Sequence, residues 1–309
     1  MGAQAPLSAL ATRMALLRRV EQTLVRSVAL RGVGVHSGKS GTVRLDPAAA
    51  GEGIVFASHA AAGALLPLSR SALVSSRLAT ALEGNGVRIV QVEHLLAALR
   101  ALGVDNARVT LEEGEEVPVL DGGAAAIMDA IGGRPGVVHV PCGRQKTYLA
   151  VRRTIRVDAE DGLGYAELAP SDVPSFHVTV DFPAPVGVQE AAWTDCDADG
   201  VEQFRSRVTP ARTFAFEAHV RAGQYRGMGL GASEANTMLF SDDGKLVNEG
   251  GFRVTDEPAC HKLLDAVGDL SLAGPIGLLG AYRAYRPGHA LNAQLVSAVL
   301  EADDAVAKV

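Results

Sequence analysis

The amino-acid sequence predicts an α+β protein of two domains laid out to a similar plan. Strand-like runs give way to helical ones twice along the chain, an order that α+β domains produce. A stretch rich in Gly and Pro, GGRPGVVHVPCGRQ from residue 132, separates the halves. Each half also carries a histidine-led apolar helix, EHLLAALRALG in the first and CHKLLDAVGDL in the second, an echo that hints at duplication. At 309 residues the chain is long enough for two medium domains, each burying a real core.

The opening MGAQAPLSALATRMALLRRV places its arginines within and after the apolar part, the reverse of a secretory signal, and Pro6 breaks the N-myristoylation pattern. Residues 1–16 are therefore expected to be a flexible extension, with Met14 as an alternative start. An N-terminal domain over 17–133 follows, with strand-like runs at 42–45, 53–56, 87–92 and 107–111 and helices at 93–102 and 124–131. Residues 134–146 read as a linker. The C-terminal domain, 147–309, opens on the strands of YLAVRRTIRV, GYAELAP and FHVTVDF and continues into helices near 200–208, 262–272 and 289–302.

Composition narrows the function. The chain is 48% hydrophobic and 21% charged, which is globular rather than disordered. No apolar run approaches the roughly 20 residues that cross a bilayer, so a soluble protein without a transmembrane segment is expected. A formal charge of -6 without basic clusters argues against a nucleic-acid partner, whose phosphates call for a Lys/Arg patch. Three widely spaced cysteines, Cys142, Cys196 and Cys260, do not make a disulfide framework and fit a reducing, cytoplasmic setting. Cys260 adjoins His261, but helical neighbours point about 100° apart, which keeps the two from a shared ion.

Three segments imitate motifs. VGVHSGKS lacks the glycine that a phosphate-binding loop needs at position 33, and TVRL beyond it reads as strand, so a hairpin turn is expected. GMGLGA at 227–232 fits a dinucleotide fingerprint only loosely, since it follows a polar stretch and opens onto strand-like TMLF. EEGEE at 112–116 is read as a solvated loop, because crowded like charges are costly to bury.

The chemistry gathers on the two histidine-led helices. In CHKLLDAVGDL, Leu263, Leu264, Val267 and Leu270 share one face, while His261, Asp265 and Asp269 recur every fourth residue opposite them. Such a trio can be a solvated face, but Asp and His form helices poorly, and two residues one turn apart can grip one ion. In VEHLLAALRAL, the face opposite the leucines consists of Ala97, Ala98 and Ala101, so both sides are expected to pack, leaving Glu93 and His94 as polar groups near a buried surface. They are either a structural pair or part of a site. Catalytic zinc commonly takes three ligands from His, Asp and Glu, a set that His94, His261 and Asp265 would supply, with Glu93 as the base beside its ligand. His289, after a Pro-Gly turn in RPGHALN, opens the last helix and is either structural or a further catalytic group.

Taken in order, GVGVHSGK, VEHLLAALRALGVDNARV, VPVLDGG, ARTFAF, GLGAS, HKLLDAVGDL and PGHALN resemble the UDP-3-O-acyl-N-acetylglucosamine deacetylase family of lipid A biosynthesis, over about residues 22–300. The resemblance implies two β-α-α-β sandwich domains packed through their helices, with zinc at the junction and iron as its alternative in the cell. It implies hydrolysis of the N-acetyl group of a UDP-linked acylated amino sugar with release of acetate, the committed step of lipid A biosynthesis, by a monomer. His94, His261 and Asp265 become the zinc ligands and Glu93 the general base. His289 becomes the general acid or electrostatic partner, oriented and charge-balanced by Asp269, and Thr213 donates to the oxyanion. Lys262 and Phe214 line the sugar and nucleotide side, and residues from about 215 to 240 correspond to the segment that holds the acyl chain. Two departures stand out, Gln91 in place of a small hydroxyl residue and Gly250 in place of an acidic one. Two other readings stay open on the residues themselves: a non-catalytic module with a structural metal, and a zinc amidohydrolase of a different sugar amide.

Overall fold

The computed structural model describes residues 9–75, 78–139, 143–184, 186–195, 198–224, 227–274 and 277–309. The first half is built on a five-stranded mixed sheet, in the spatial order Val28–Val33, Ser40–Pro47, Ala107–Glu113, Ile54–Ser58, Leu65–Pro67. Its pairings run antiparallel, antiparallel, parallel, antiparallel. The second half repeats this with Ile155–Asp158, Tyr165–Ala169, Ala281–Tyr285, Ser175–Asp181 and Val188–Thr194, in the same order and with the same senses. In both, the fifth strand in sequence enters the middle of the sheet, one helix precedes it and another follows. The echo between the two histidine-led segments thus coincides with a repeated topology.

Seven α-helices are described: α1 (Ala9–Leu17), α2 (Glu93–Leu102), α3 (Ala125–Ile131), α4 (Ala198–Gln203), α5 (Glu217–Gln224), α6 (Glu257–Asp269) and α7 (His289–Glu301). Helices α2 and α6 hold equivalent places in the two halves and pack directly against each other. The alanine face of α2 makes this possible: Ala97, Ala98 and Ala101 are all buried, as are its leucines. A Cβ on Gly268 would fall 2.0 Å from the Glu93 carbonyl oxygen, so the crossing point needs a glycine. Each half also carries an addition between its fourth strand and its first core helix. In the first it is the antiparallel meander Leu73–Ser75, Ala81–Gly84, Val87–Val90. In the second it includes a β-α-β unit, Thr213–Phe216, α5 and Thr237–Phe240, with its strands parallel.

Several expectations need correction. Residues 9–16 are not loose: they lie in α1, where Leu16 is buried with Tyr148, Ala150 and Leu279 and Arg13 donates to Asp172 at 2.6 Å. The residues expected as a linker contain a strand, Val137–His139, paired antiparallel with Gln22–Leu24. A short run of small and β-branched residues gains its backbone hydrogen bonds from a partner far away in sequence, which composition alone does not reveal. Of the acidic loop, Glu116 is buried, because its carboxylate accepts the amides of His36 and Ser37 at 2.8 and 2.9 Å. Those amides belong to the expected hairpin turn between Val28–Val33 and Ser40–Pro47. The Gly-rich segment leads into the strand Thr237–Phe240, as its strand-like TMLF suggests, and Met238 and Phe240 there are both fully buried. Cys142 and Cys196 lie outside the described residues.

Candidate active site

The first turn of α2 and two successive turns of α6 face each other where the halves meet. His94, His261 and Asp265 are all buried, and their ligand atoms lie within 4.8 Å of one another. Asp265 Oδ1 is 3.3 Å from His261 Nε2 and 3.6 Å from His94 Nε2. Two ligands of a tetrahedral centre with bonds of about 2.0–2.1 Å sit about 3.4 Å apart, so this spacing fits zinc or an ion of similar size. His261 Nδ1 lies 3.1 Å from the Ala211 carbonyl, which can only accept, so Nδ1 carries the proton and Nε2 presents its lone pair to the centre. Asp265 Oδ2 accepts from Lys262 at 2.9 Å, whereas its buried Oδ1 has no hydrogen-bond partner among the described residues. An orphaned carboxylate oxygen facing two imidazoles is what a cation site requires.

The electrostatics agree with that assignment. Burial pushes His261 down to about 4, only partly offset by Asp265, which leaves the neutral form that coordinates metals. Burial works against ionised Asp265, but His261, Lys262 and His289 outweigh it and hold the carboxyl well below the usual range. For His94, Asp265 and Glu93 outweigh burial and the shift is upward.

Glu93 and His289 flank this cluster. Glu93 opens α2 and is buried, which raises its pKa against the pull of His289 and His94, and its Oε2 accepts the Thr80 amide at 3.0 Å. His289 opens α7 after Pro287 and Gly288. Burial opposes its charge, but Asp269 and Asp265 prevail and raise it to about 10. Its Nδ1 donates to Asp269 Oδ2 at 2.9 Å, and its Nε2 lies 3.8 Å from Asp265. Asp269 also accepts from Asn292 at 2.9 Å and from the Thr80 hydroxyl at 2.6 Å.

The remaining expected residues cluster nearby. Lys262 lies with its ammonium 5.7 Å from the ring centre of Phe214. Thr213 begins the first strand of the β-α-β unit, two residues beyond the carbonyl that holds His261, and its amide donates to Gly122. Gln91, one of the two departures, is buried in a left-handed conformation, and Gly250 lies in an exposed turn. Sequence reasoning missed Thr80 and Asn292. Asn292 could have been found, since it stands one helical turn after His289 in HALN. Thr80 could not, since nothing around it in the sequence marks it.

A buried donor set with one open carboxylate oxygen, a buried carboxyl on one side and an imidazole on the other defines a class: a hydrolase built around a metal site. The chain belongs to the UDP-3-O-acyl N-acetylglycosamine deacetylase family, whose sequence model matches residues 21–301. It is 40% identical over 286 residues to the UDP-3-O-acyl-N-acetylglucosamine deacetylases of Brucella ovis and Brucella canis, covering 92% of this chain and 96% of each relative. The enzyme of the same name from Brucella melitensis biotype 2 is 39% identical over the same span.

Proposed function

We propose that this chain hydrolyses the N-acetyl group of a UDP-linked 3-O-acyl N-acetylglucosamine, releasing acetate in lipid A biosynthesis, with zinc held by His94, His261 and Asp265, or iron in its place. The observation that carries this reading is the unpartnered, buried Oδ1 of Asp265 between two imidazoles, flanked by Glu93 and His289. A divalent ion there would supply Lewis-acid polarisation of the acetamide and a water of lowered pKa. Glu93 accepts the proton of the attacking water; its burial raises its basicity for that task. His289, kept cationic by Asp269 and Asp265, stabilises the oxyanion and can pass a proton to the departing amine. Thr213 is assigned as a second donor to that oxyanion.

Lys262 and Phe214 are assigned to the sugar and nucleotide side, beside the root of the β-α-β unit. The unit presents Phe214, which meets the Phe182 ring edge to face at 5.2 Å between ring centres, and Phe216, whose ring is tilted against that of Phe240 at 5.5 Å. Phe216, which is half-buried, and Leu230, which is exposed, suit a passage for the acyl chain. No helix among the described residues is long and apolar enough to cross a membrane. A cytoplasmic monomer is the setting we assign.

Acetate release from the UDP-sugar by metal-loaded protein tests the reading. Glu93→Ala is expected to keep its metal and lose roughly 10²-fold or more in turnover. Metal-loaded wild-type protein that releases no acetate would reject the substrate, and undiminished turnover in Glu93→Ala would remove the base.

A further inference from the structure

We propose that Thr80 is a positioning residue that fixes the spacing between Glu93 and the Asp269–His289 pair, a role that rests on the deacetylase reading. Thr80 is 1% exposed and engages the two sides of the site through different atoms. Its amide donates to Glu93 Oε2 at 3.0 Å, and its hydroxyl donates to Asp269 Oδ1 at 2.6 Å. Its carbonyl accepts the amides of Gln91 and Val92 at 2.9 and 3.3 Å, the two residues that lead into α2. The left-handed backbone of Gln91, at φ 64°, turns the chain so that both ends of this clamp close on one residue.

Glu93 belongs to the first half of the chain, Asp269 and His289 to the second. The Thr80 hydroxyl therefore ties the two halves together at the point where base and acid must keep their distance. Asp269 Oδ2 is already committed to His289 and Asn292, and Asn292 is itself held by the Tyr282 hydroxyl at 2.6 Å. Oδ1 has Thr80. Removing that donor leaves a buried carboxylate oxygen short of a partner and frees the carboxylate to rotate, carrying His289 with it. No bond from Thr80 reaches His94, His261 or Asp265 among the described contacts, so metal binding should be untouched.

Thr80→Val keeps the side-chain shape and the amide to Glu93 while deleting the hydroxyl, and Thr80→Ser restores it. Losing a hydrogen bond to a charged group should lower kcat about tenfold or more with KM within about twofold, and Thr80→Ser should recover most of it. A second reading needs no substrate: in ¹⁵N-histidine-labelled, zinc-loaded protein, the Nδ1–H resonance of His289, assigned with His289→Ala, should shift in Thr80→Val and return in Thr80→Ser. Thr80→Ala, which adds no bulk, gives both readings if the Val variant does not fold. An unmoved resonance in the hydroxyl-free variant overturns the proposal, as does wild-type kcat in that variant. Wild-type protein that releases no acetate would reject the substrate assignment instead, and the resonance would still decide the role of Thr80.

Discussion

Gly268→Ala tests the junction on which the whole site depends. Gly268 lies inside α6, where Ala is favoured over Gly by about 1 kcal/mol, so helix propensity alone says that the substitution stabilises. The tertiary structure reverses the sign. The added Cβ would meet the Glu93 carbonyl oxygen at 2.0 Å, its carbonyl carbon at 2.7 Å and its Cα at 2.9 Å. Ordinary contact begins at 3.4 Å, and 3.4 less 2.0 means that the two helices must part locally by 1.4 Å. All three obstructing atoms belong to the backbone of a packed helix, which cannot swing aside. Such overpacking costs about 1–3 kcal/mol. The chemical consequence is larger: His94 adjoins the clash on α2 and Asp265 lies three residues from it on α6, whereas metal–ligand distances tolerate only about 0.2 Å. A displacement near 1 Å should cost about 10²-fold in turnover. Thermal unfolding, metal content after dialysis and acetate release would be measured side by side. A variant at least as stable as wild type, with full metal and full turnover, would refute the argument that α2 and α6 are held at this spacing.

Other outcomes follow from the same geometry. His94→Ala, His261→Ala and Asp265→Ala should each lose the bound divalent ion together with activity; full metal content in all three, measured on purified protein, would sink the site. Shortening the acyl chain of the substrate by four methylenes should cost up to about 3 kcal/mol, on the order of 100-fold in kcat/KM. Equal kcat/KM for long-chain and deacylated UDP-sugars would show that the β-α-β unit does not read the chain. Glu257 is fully buried and accepts from the Arg212 and Arg253 amides and the Arg212 guanidinium. Burial alone would raise its pKa, but these donors lower it. Its stabilisation is therefore complete above the ordinary glutamate value and is lost as pH falls through the lower folded value. Glu257→Gln should cost about 3 kcal/mol at neutral pH, and the gap to wild type should close below about pH 4. Denaturant titrations at several pH values check this, and a gap that persists undiminished to about pH 3 would contradict it.

The amino-acid sequence by itself determined the α+β class, α2 to the residue, the hairpin in place of a phosphate loop and the three candidate ligands. These are periodic or local properties: leucines and alanines on two faces of α2, and His261 and Asp265 one turn apart, are legible without knowing what lies opposite. The ordered motifs carried the family. Only the tertiary structure decided what each polar group meets. Leu16 turned a nominal extension into a packed helix, and Val137–His139 found its partner more than a hundred residues away. Glu116 left a run of acidic residues to hold two amides, and Thr80, unmarked in the sequence, came to join Glu93 to Asp269 across the two halves. The difference is one of range. A helix face is written in neighbouring residues, whereas strand pairing, the capture of a lone carboxylate and the close approach at Gly268 depend on backbone and side chains brought together by the packing of two distant helices.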